Sequence, residues 1–116
     1  MSKSKITKFK KILKTLLDEL ESEDIIVKSS FEYSAFDAIE NIKKDVKPNK
    51  YCVFYLDRDN DIIESCAGVY LHYLISSNST DLKLDKLAQK IIKAAQKYEL
   101  VFELNRAKEP IWVQLK

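Results

Sequence analysis

The apolar residues near the start of the chain recur at intervals of three and four positions, and they are Ile6, Phe9, Leu13, Leu16 and Leu20. Side chains at this spacing lie on one face of an α-helix. The pattern therefore predicts an amphipathic helix within residues 1–22. A second helix is predicted from Ser34, which opens the capping-box-like sequence SAFD, up to Pro48.

Two apolar segments in the middle of the chain are predicted to pair as a hairpin. The first is YCVFYL at residues 51–56, and the second is IIESCAGVYLHYLI at residues 62–75. Both contain many β-branched and aromatic residues, and the polar sequence DRDND between them is typical of a turn. We expect Gly68 to bulge, bend or interrupt the second strand.

The last third of the chain predicts a helix followed by a second hairpin. Residues 81–98 have helical periodicity, whereas ELVFEL and IWVQL alternate apolar and polar residues on either side of NRAKEP. This alternation turns Trp112 away from the core. With a short strand at residues 24–28, the predicted order is αβαββαββ. This is a single α+β domain over residues 1–116, in which three helices pack on a mainly antiparallel sheet of two hairpins.

Two of these segments resemble parts of small regulatory domains. The sequence VFYLDRDNDIIES resembles the opening hairpin of Roadblock-type dimerisation domains. The sequence YELVFELNRAKEPIWVQL is similar to the closing hairpin of PAS sensors. Both resemblances imply an interaction module.

The amino-acid composition excludes some classes of function. The chain has 116 residues, of which 46% are hydrophobic and 33% charged, and this is enough for one core. Because Gly68 is the only glycine, the glycine-rich loops that hold phosphates in P-loop and dinucleotide-binding proteins cannot be built. No apolar run approaches the roughly 18 residues of a membrane span, so no membrane partner is predicted and a cytoplasmic location is expected.

The helix predicted at residues 81–98 concentrates positive charge on one side. Five of its lysines recur at intervals of three and four residues, within an arc of about 80° away from its apolar face. They are Lys83, Lys86, Lys90, Lys93 and Lys97, here called the lysine stripe. Gln89 and Gln96 occupy positions where a neutral surface would carry glutamate. The stripe favours an anionic partner, although surface lysines also serve simply to keep a protein in solution.

Nucleic acid is the partner that we predict for the lysine stripe, with Lys8, Lys11 and Arg106 as auxiliary contacts. Only two of the 20 basic residues are arginine, and lysine acts as a point charge that does not read base edges. Binding is therefore expected to have little sequence specificity. An acidic protein is the other partner that the charge would fit.

The alternative function is a homodimeric protein-interaction or regulatory module. The N-terminal helix begins with lysines and ends with acids, so two antiparallel copies would be complementary in charge. The predicted interface residues are Phe9, Leu13, Leu16 and Leu20 of this helix, or Trp112 on the sheet. For both surfaces the other interpretation is intramolecular, with the helix packed on its own domain and covering the Trp112 face.

We expect a non-enzymatic protein, and no catalytic residue, metal site or cofactor is predicted. A metal-assisted hydrolase would have to use Asp57, Asp59, Glu64 or His72. The acids of this set crowd a predicted turn instead of a defined cleft. A short hairpin turn would place Cys52 opposite Cys66, although two buried thiols fit a cytosolic protein better than a disulfide does.

Overall fold

The computed structural model describes residues 2–77, 79–104 and 109–116. Within these ranges there are four α-helices: α1 (Lys3–Ser22), α2 (Ala35–Asp45), α3 (Asn60–Cys66) and α4 (Asp81–Lys97). There are five strands: β1 (Ile26–Lys28), β2 (Tyr51–Phe54), β3 (Gly68–Ile75), β4 (Val101–Glu103) and β5 (Ile111–Gln114). A 3₁₀ turn at Asp57–Asp59 precedes α3.

The five strands form one sheet in the order β1-β2-β3-β5-β4. β1 runs parallel to β2, and the other three neighbouring pairs are antiparallel. The chain is therefore a single α+β domain with a mostly antiparallel sheet, as the sequence predicts. Its two edge strands contain three residues each, which leaves little unpaired backbone for another chain to pair with.

The main core lies between one face of the sheet and the pair of helices α1 and α4. The sheet contributes alternate residues, such as Val69 and Leu71 of β3 and Val113 of β5, and these are fully buried. Phe9 of α1 and Ile91 of α4 pack against them. On the opposite face, α2 covers only the β1–β2 side, where a second apolar cluster forms.

The antiparallel pairing predicted within residues 51–75 is confirmed, because β2 pairs with β3, but the predicted tight turn is wrong, because α3 lies between the two strands. The Asp59 carboxylate accepts a hydrogen bond from the backbone N–H of Leu56 at 3.1 Å, so DRDND begins a helix instead of a tight turn. Ile63 then reaches the main core, where it is 2% exposed. Ala67, in the left-handed conformation with φ 51°, ends α3 and lets β3 start at Gly68.

This correction changes the predicted fold in three ways. The element order is αβαβαβαββ instead of αβαββαββ, and there are four helices among the described residues instead of three. The opening hairpin that the Roadblock resemblance implies is replaced by a strand, a 3₁₀ turn and a helix. Cys52 pairs with Leu74 in the sheet register while Cys66 ends α3, so the two thiols are not opposite each other and both are free.

Other predicted elements are confirmed. Ser34 caps α2, because its hydroxyl accepts the N–H of Asp37 at 3.2 Å and donates to the Asp37 carboxylate at 3.0 Å. β4 and β5 pair in antiparallel register, with Phe102 opposite Val113 and Glu103 opposite Trp112. The helices predicted in residues 1–22 and 81–98 correspond to α1 and α4.

Candidate anion-binding site on helix α4

The position of the lysine stripe follows from how α4 packs. Thr80 caps the helix by accepting the N–H of Lys83 at 3.2 Å. Leu87 and Ile91 are fully buried against the sheet and α1, which fixes the rotation of the helix about its axis. The stripe, which lies outside this apolar arc, is thereby placed at the surface.

Carboxylates from α1 neutralise part of the lysine stripe. Glu19 accepts a hydrogen bond from Lys97, and Glu23 lies 3.2 Å from the Lys90 ammonium group. The bond to Glu19 raises the pKa of Lys97, because it stabilises the charged form of the amine. Lys90 and Lys97 are thus paired within the same chain.

The other exposed lysines of the stripe have no such partner. Lys86 and Lys93 form no ion pair with any residue in the described part of the chain, and both are exposed, whereas Lys83 is half-buried. A shallow depression on the outer side of α4 is lined by Lys86, Lys90 and Lys93 together with Asp85 and Gln89. An anion entering this depression would meet more positive than negative charge.

A second depression lies between α1 and α4 and has a volume of about 460 Å³. From α4 it is lined by Lys90, Lys93 and Lys97, and from α1 by Glu19, Ser22 and Glu23. We call it the α1–α4 groove. Lys90 and Lys93 therefore line both depressions, whereas Glu19 and Glu23 line only the α1–α4 groove.

Sequence reasoning did not predict that Glu19 and Glu23 pair with the lysine stripe. Their spacing of four residues puts both acids on one side of α1, next to its apolar face. This spacing could have indicated that they meet a neighbouring element. Their contacts also explain why α1 has acids at its C-terminal end, where the helix dipole disfavours them. These acids are stabilised by lysines of α4 and not by the dipole of α1 itself.

The auxiliary lysines do not join this site. Lys8 and Lys11 are exposed on α1, but neither lines the α1–α4 groove, to which α1 contributes Glu19, Ser22 and Glu23. Arg106 lies outside the residues that the structure describes.

The predicted interface residues of α1 face inward. Phe9, Leu16 and Leu20 are fully buried in the core of the same chain, and Leu13 is 4% exposed. A second copy could reach only the charged outer side of α1. Trp112 is half-buried, and it lies on the face of the sheet that α1 and α4 do not cover.

The residues considered for catalysis have other roles. Asp59 is buried and accepts a backbone N–H, Glu64 pairs with Lys10, and His72 stacks on Phe54 with ring centroids 5.0 Å apart. Burial lowers the pKa of His72, which favours its neutral form. Across the described residues, no group of three or more histidine, cysteine or acidic side chains is placed to hold a metal ion.

Cys52 is also poorly placed for redox chemistry. Burial raises the pKa of the Cys52 thiol to about 11, an effect that the charge of Lys28 only partly offsets. The thiolate, which is the reactive form, is therefore scarce at neutral pH.

Comparisons of this chain with protein-family models, with curated proteins and with solved structures found no match. In the portion of the chain that the structure describes, no helix has both the length and the apolar character needed to cross a membrane.

Proposed function

We propose that this protein binds nucleic acid through contacts of Lys86, Lys90 and Lys93 with backbone phosphates. The observation that supports this most directly is the exposure of Lys86 and Lys93 on one side of α4, with no carboxylate partner among the described residues. They are two turns apart, or about 10 Å along the helix axis, so they can contact separate phosphates.

Duplex nucleic acid with no preferred sequence is the form that the surface fits best. Lysine attracts phosphates as a point charge and provides no bidentate pairing with base edges. Of the described residues that line the two depressions on α4, none is aromatic, so these depressions offer no side chain on which the bases of a single strand could stack.

The first test is the double variant Lys86→Gln, Lys93→Gln. We expect its affinity for a duplex probe to be about tenfold weaker at moderate salt, and its salt slope to be smaller by about two, because each lost phosphate contact removes about 0.9 from the slope. Fluorescence anisotropy at several salt concentrations measures both quantities.

The matched control is Lys43→Gln, Lys44→Gln, which removes the same charge from exposed positions of α2. It should change the affinity by less than about twofold. Equal losses in the two double variants would show that net charge and not the α4 surface governs binding. Binding that does not change between low and moderate salt would overturn the proposal.

The acids of α1 provide a second test, because they compete with phosphates for Lys90 and Lys97. We expect the variant Glu19→Gln, Glu23→Gln to bind a duplex more tightly, with a salt slope about one unit steeper, since Lys97 joins the proposed contacts and Lys90 no longer has to leave Glu23. The control Glu21→Gln, Glu40→Gln removes two exposed acids away from the stripe. A slope equal to that of this control would mean that the α1–α4 groove is not part of the binding surface.

A protein-interaction module is the second candidate function. The half of the sheet formed by β3, β5 and β4 has α1 and α4 on one face, and α2 covers only the β1–β2 side of the other face. Tyr70 and Val101 are exposed there, and tyrosine and tryptophan are enriched in protein interfaces. A second copy or a different protein could therefore dock beside Trp112.

A further inference from the structure

Three side chains form one row across the half of the sheet that none of the described helices covers on this face. Tyr70 of β3 is directly opposite Trp112 of β5, and Trp112 is directly opposite Glu103 of β4. Their strand neighbours Leu71, Ile111 and Val113 are buried in the main core, so alternation puts the row on the other face. We call the row of Tyr70, Trp112 and Glu103 the aromatic row.

Trp112 is held in a fixed orientation within this row. Its indole lies over Gly68, because a Cβ atom at that position would be only 2.5 Å from the Trp112 Cζ2 atom. The indole N–H donates a hydrogen bond to the Gln114 side-chain oxygen at 3.1 Å. Tyr70 meets the indole edge-on, with ring centroids 4.8 Å apart and an interplanar angle of 60°. The benzo ring of the indole thus lies against β3, and Trp112 as a whole is half-buried, so part of it remains open to solvent.

Glu103 adds a negative charge that has no counterpart on these strands. Its side chain is exposed and makes no ion pair within the described parts of the chain. Strands β3, β4 and β5 contain neither lysine nor arginine. An exposed carboxylate of this kind can pair with a cation that comes from another molecule.

We propose that the aromatic row binds a cationic side chain, arginine or lysine, from a partner protein. The outer face of an indole attracts a cation through its ring quadrupole, and a neighbouring carboxylate supplies the opposite charge. This assignment rests on the second candidate function and specifies the chemistry of its partner. A phosphate backbone would be repelled by Glu103, so the aromatic row and the lysine stripe take ligands of opposite sign.

The experiment uses Trp112 as its own reporter, because it is the only tryptophan in the chain. The probe is a capped peptide of alternating arginine and serine, compared with the same peptide carrying citrulline, and then glutamate, in place of arginine. We expect the arginine peptide to change the Trp112 emission in a saturable manner. The citrulline peptide should bind about fivefold more weakly, and the glutamate peptide should leave the emission unchanged.

Two variants test whether the arginine peptide binds at the aromatic row. Glu103→Gln should weaken binding of the arginine peptide about fivefold, and Tyr70→Leu about threefold, while both keep the circular dichroism spectrum of the unchanged protein. The control Glu21→Gln removes an exposed acid from α1 and should leave the affinity unchanged.

The outcomes distinguish failure of the cation site from failure of the protein-interaction function. Equal binding of the arginine and citrulline peptides, or binding that Glu103→Gln does not weaken, would overturn the cation site and leave a docking surface in place. An emission that no peptide changes would also overturn the cation site. The interaction function would then be judged by sedimentation of the chain over a range of concentrations.

Discussion

Replacing Leu16 by alanine is expected to lower the free energy of unfolding by about 2–5 kcal/mol. Leu16 lies in the middle of α1 and has no solvent-exposed surface. Its removal leaves a cavity between α1, α4 and the sheet, which the surrounding side chains can fill only in part. Because small domains are stable by only about 5–15 kcal/mol, this loss is a large fraction of the total. Urea denaturation followed by circular dichroism measures it.

The same experiment distinguishes a core helix from a dimer interface. The control Lys11→Ala truncates an exposed side chain of the same helix and should change the stability by less than about 0.5 kcal/mol. If Leu16 is buried within one chain, the urea midpoint of the Leu16→Ala variant will be the same at low and high protein concentration. A midpoint that rises with protein concentration would instead indicate that α1 is stabilised by a second copy.

Replacing Gly68 by alanine is expected to cost about 1–3 kcal/mol of stability, although alanine is ordinarily tolerated at the start of a strand. The new Cβ atom would lie 2.5 Å and 2.9 Å from two ring carbons of Trp112 and 3.0 Å from the Val113 carbonyl oxygen. The indole must move away, which also alters its contact with Tyr70. Chemical denaturation gives the loss of stability, and the near-ultraviolet circular dichroism of the single tryptophan reports the displacement.

A double-mutant cycle tests whether the indole is the cause. In a Trp112→Leu background, Gly68→Ala should cost less than about half of what it costs in the unchanged protein, because the smaller side chain leaves room for Cβ. The contact with the Val113 carbonyl oxygen remains in both backgrounds. An equal cost in the two backgrounds would show that the backbone, and not the aromatic ring, requires glycine at this position.

Helical periodicity predicted the long elements of this fold, whereas the middle of the chain was misassigned. α1 and α4 each repeat their apolar spacing over four turns or more, which is long enough to distinguish a helix from a chance pattern. α3 has only seven residues, and its first two, Asn60 and Asp61, are of types that also form turns. What decides between turn and helix is the insertion of Ile63 into the core, which is a tertiary contact.

The lysines of the candidate site could be predicted from the sequence, but the acids that pair with them could not. The spacing of the lysine stripe is a local property of one helix. The pairing of Lys90 with Glu23 and of Lys97 with Glu19 joins residues 67 and 78 positions apart. These contacts exist because α1 and α4 run side by side on the same face of the sheet, and no local pattern specifies that arrangement. The prediction of an uncompensated stripe is therefore wrong for Lys90 and Lys97.

The sheet separates the lysine stripe from the aromatic row, and this has an electrostatic consequence. The stripe is on the solvent side of α4, and a helix with its side chains is about 10 Å across. The aromatic row lies beyond both that helix and the sheet. At physiological ionic strength the field of an exposed charge decays over about 8 Å, so a polyanion on one side and a cationic segment on the other would scarcely sense each other. The domain could thus act as an adaptor that holds two oppositely charged molecules at once without either displacing the other.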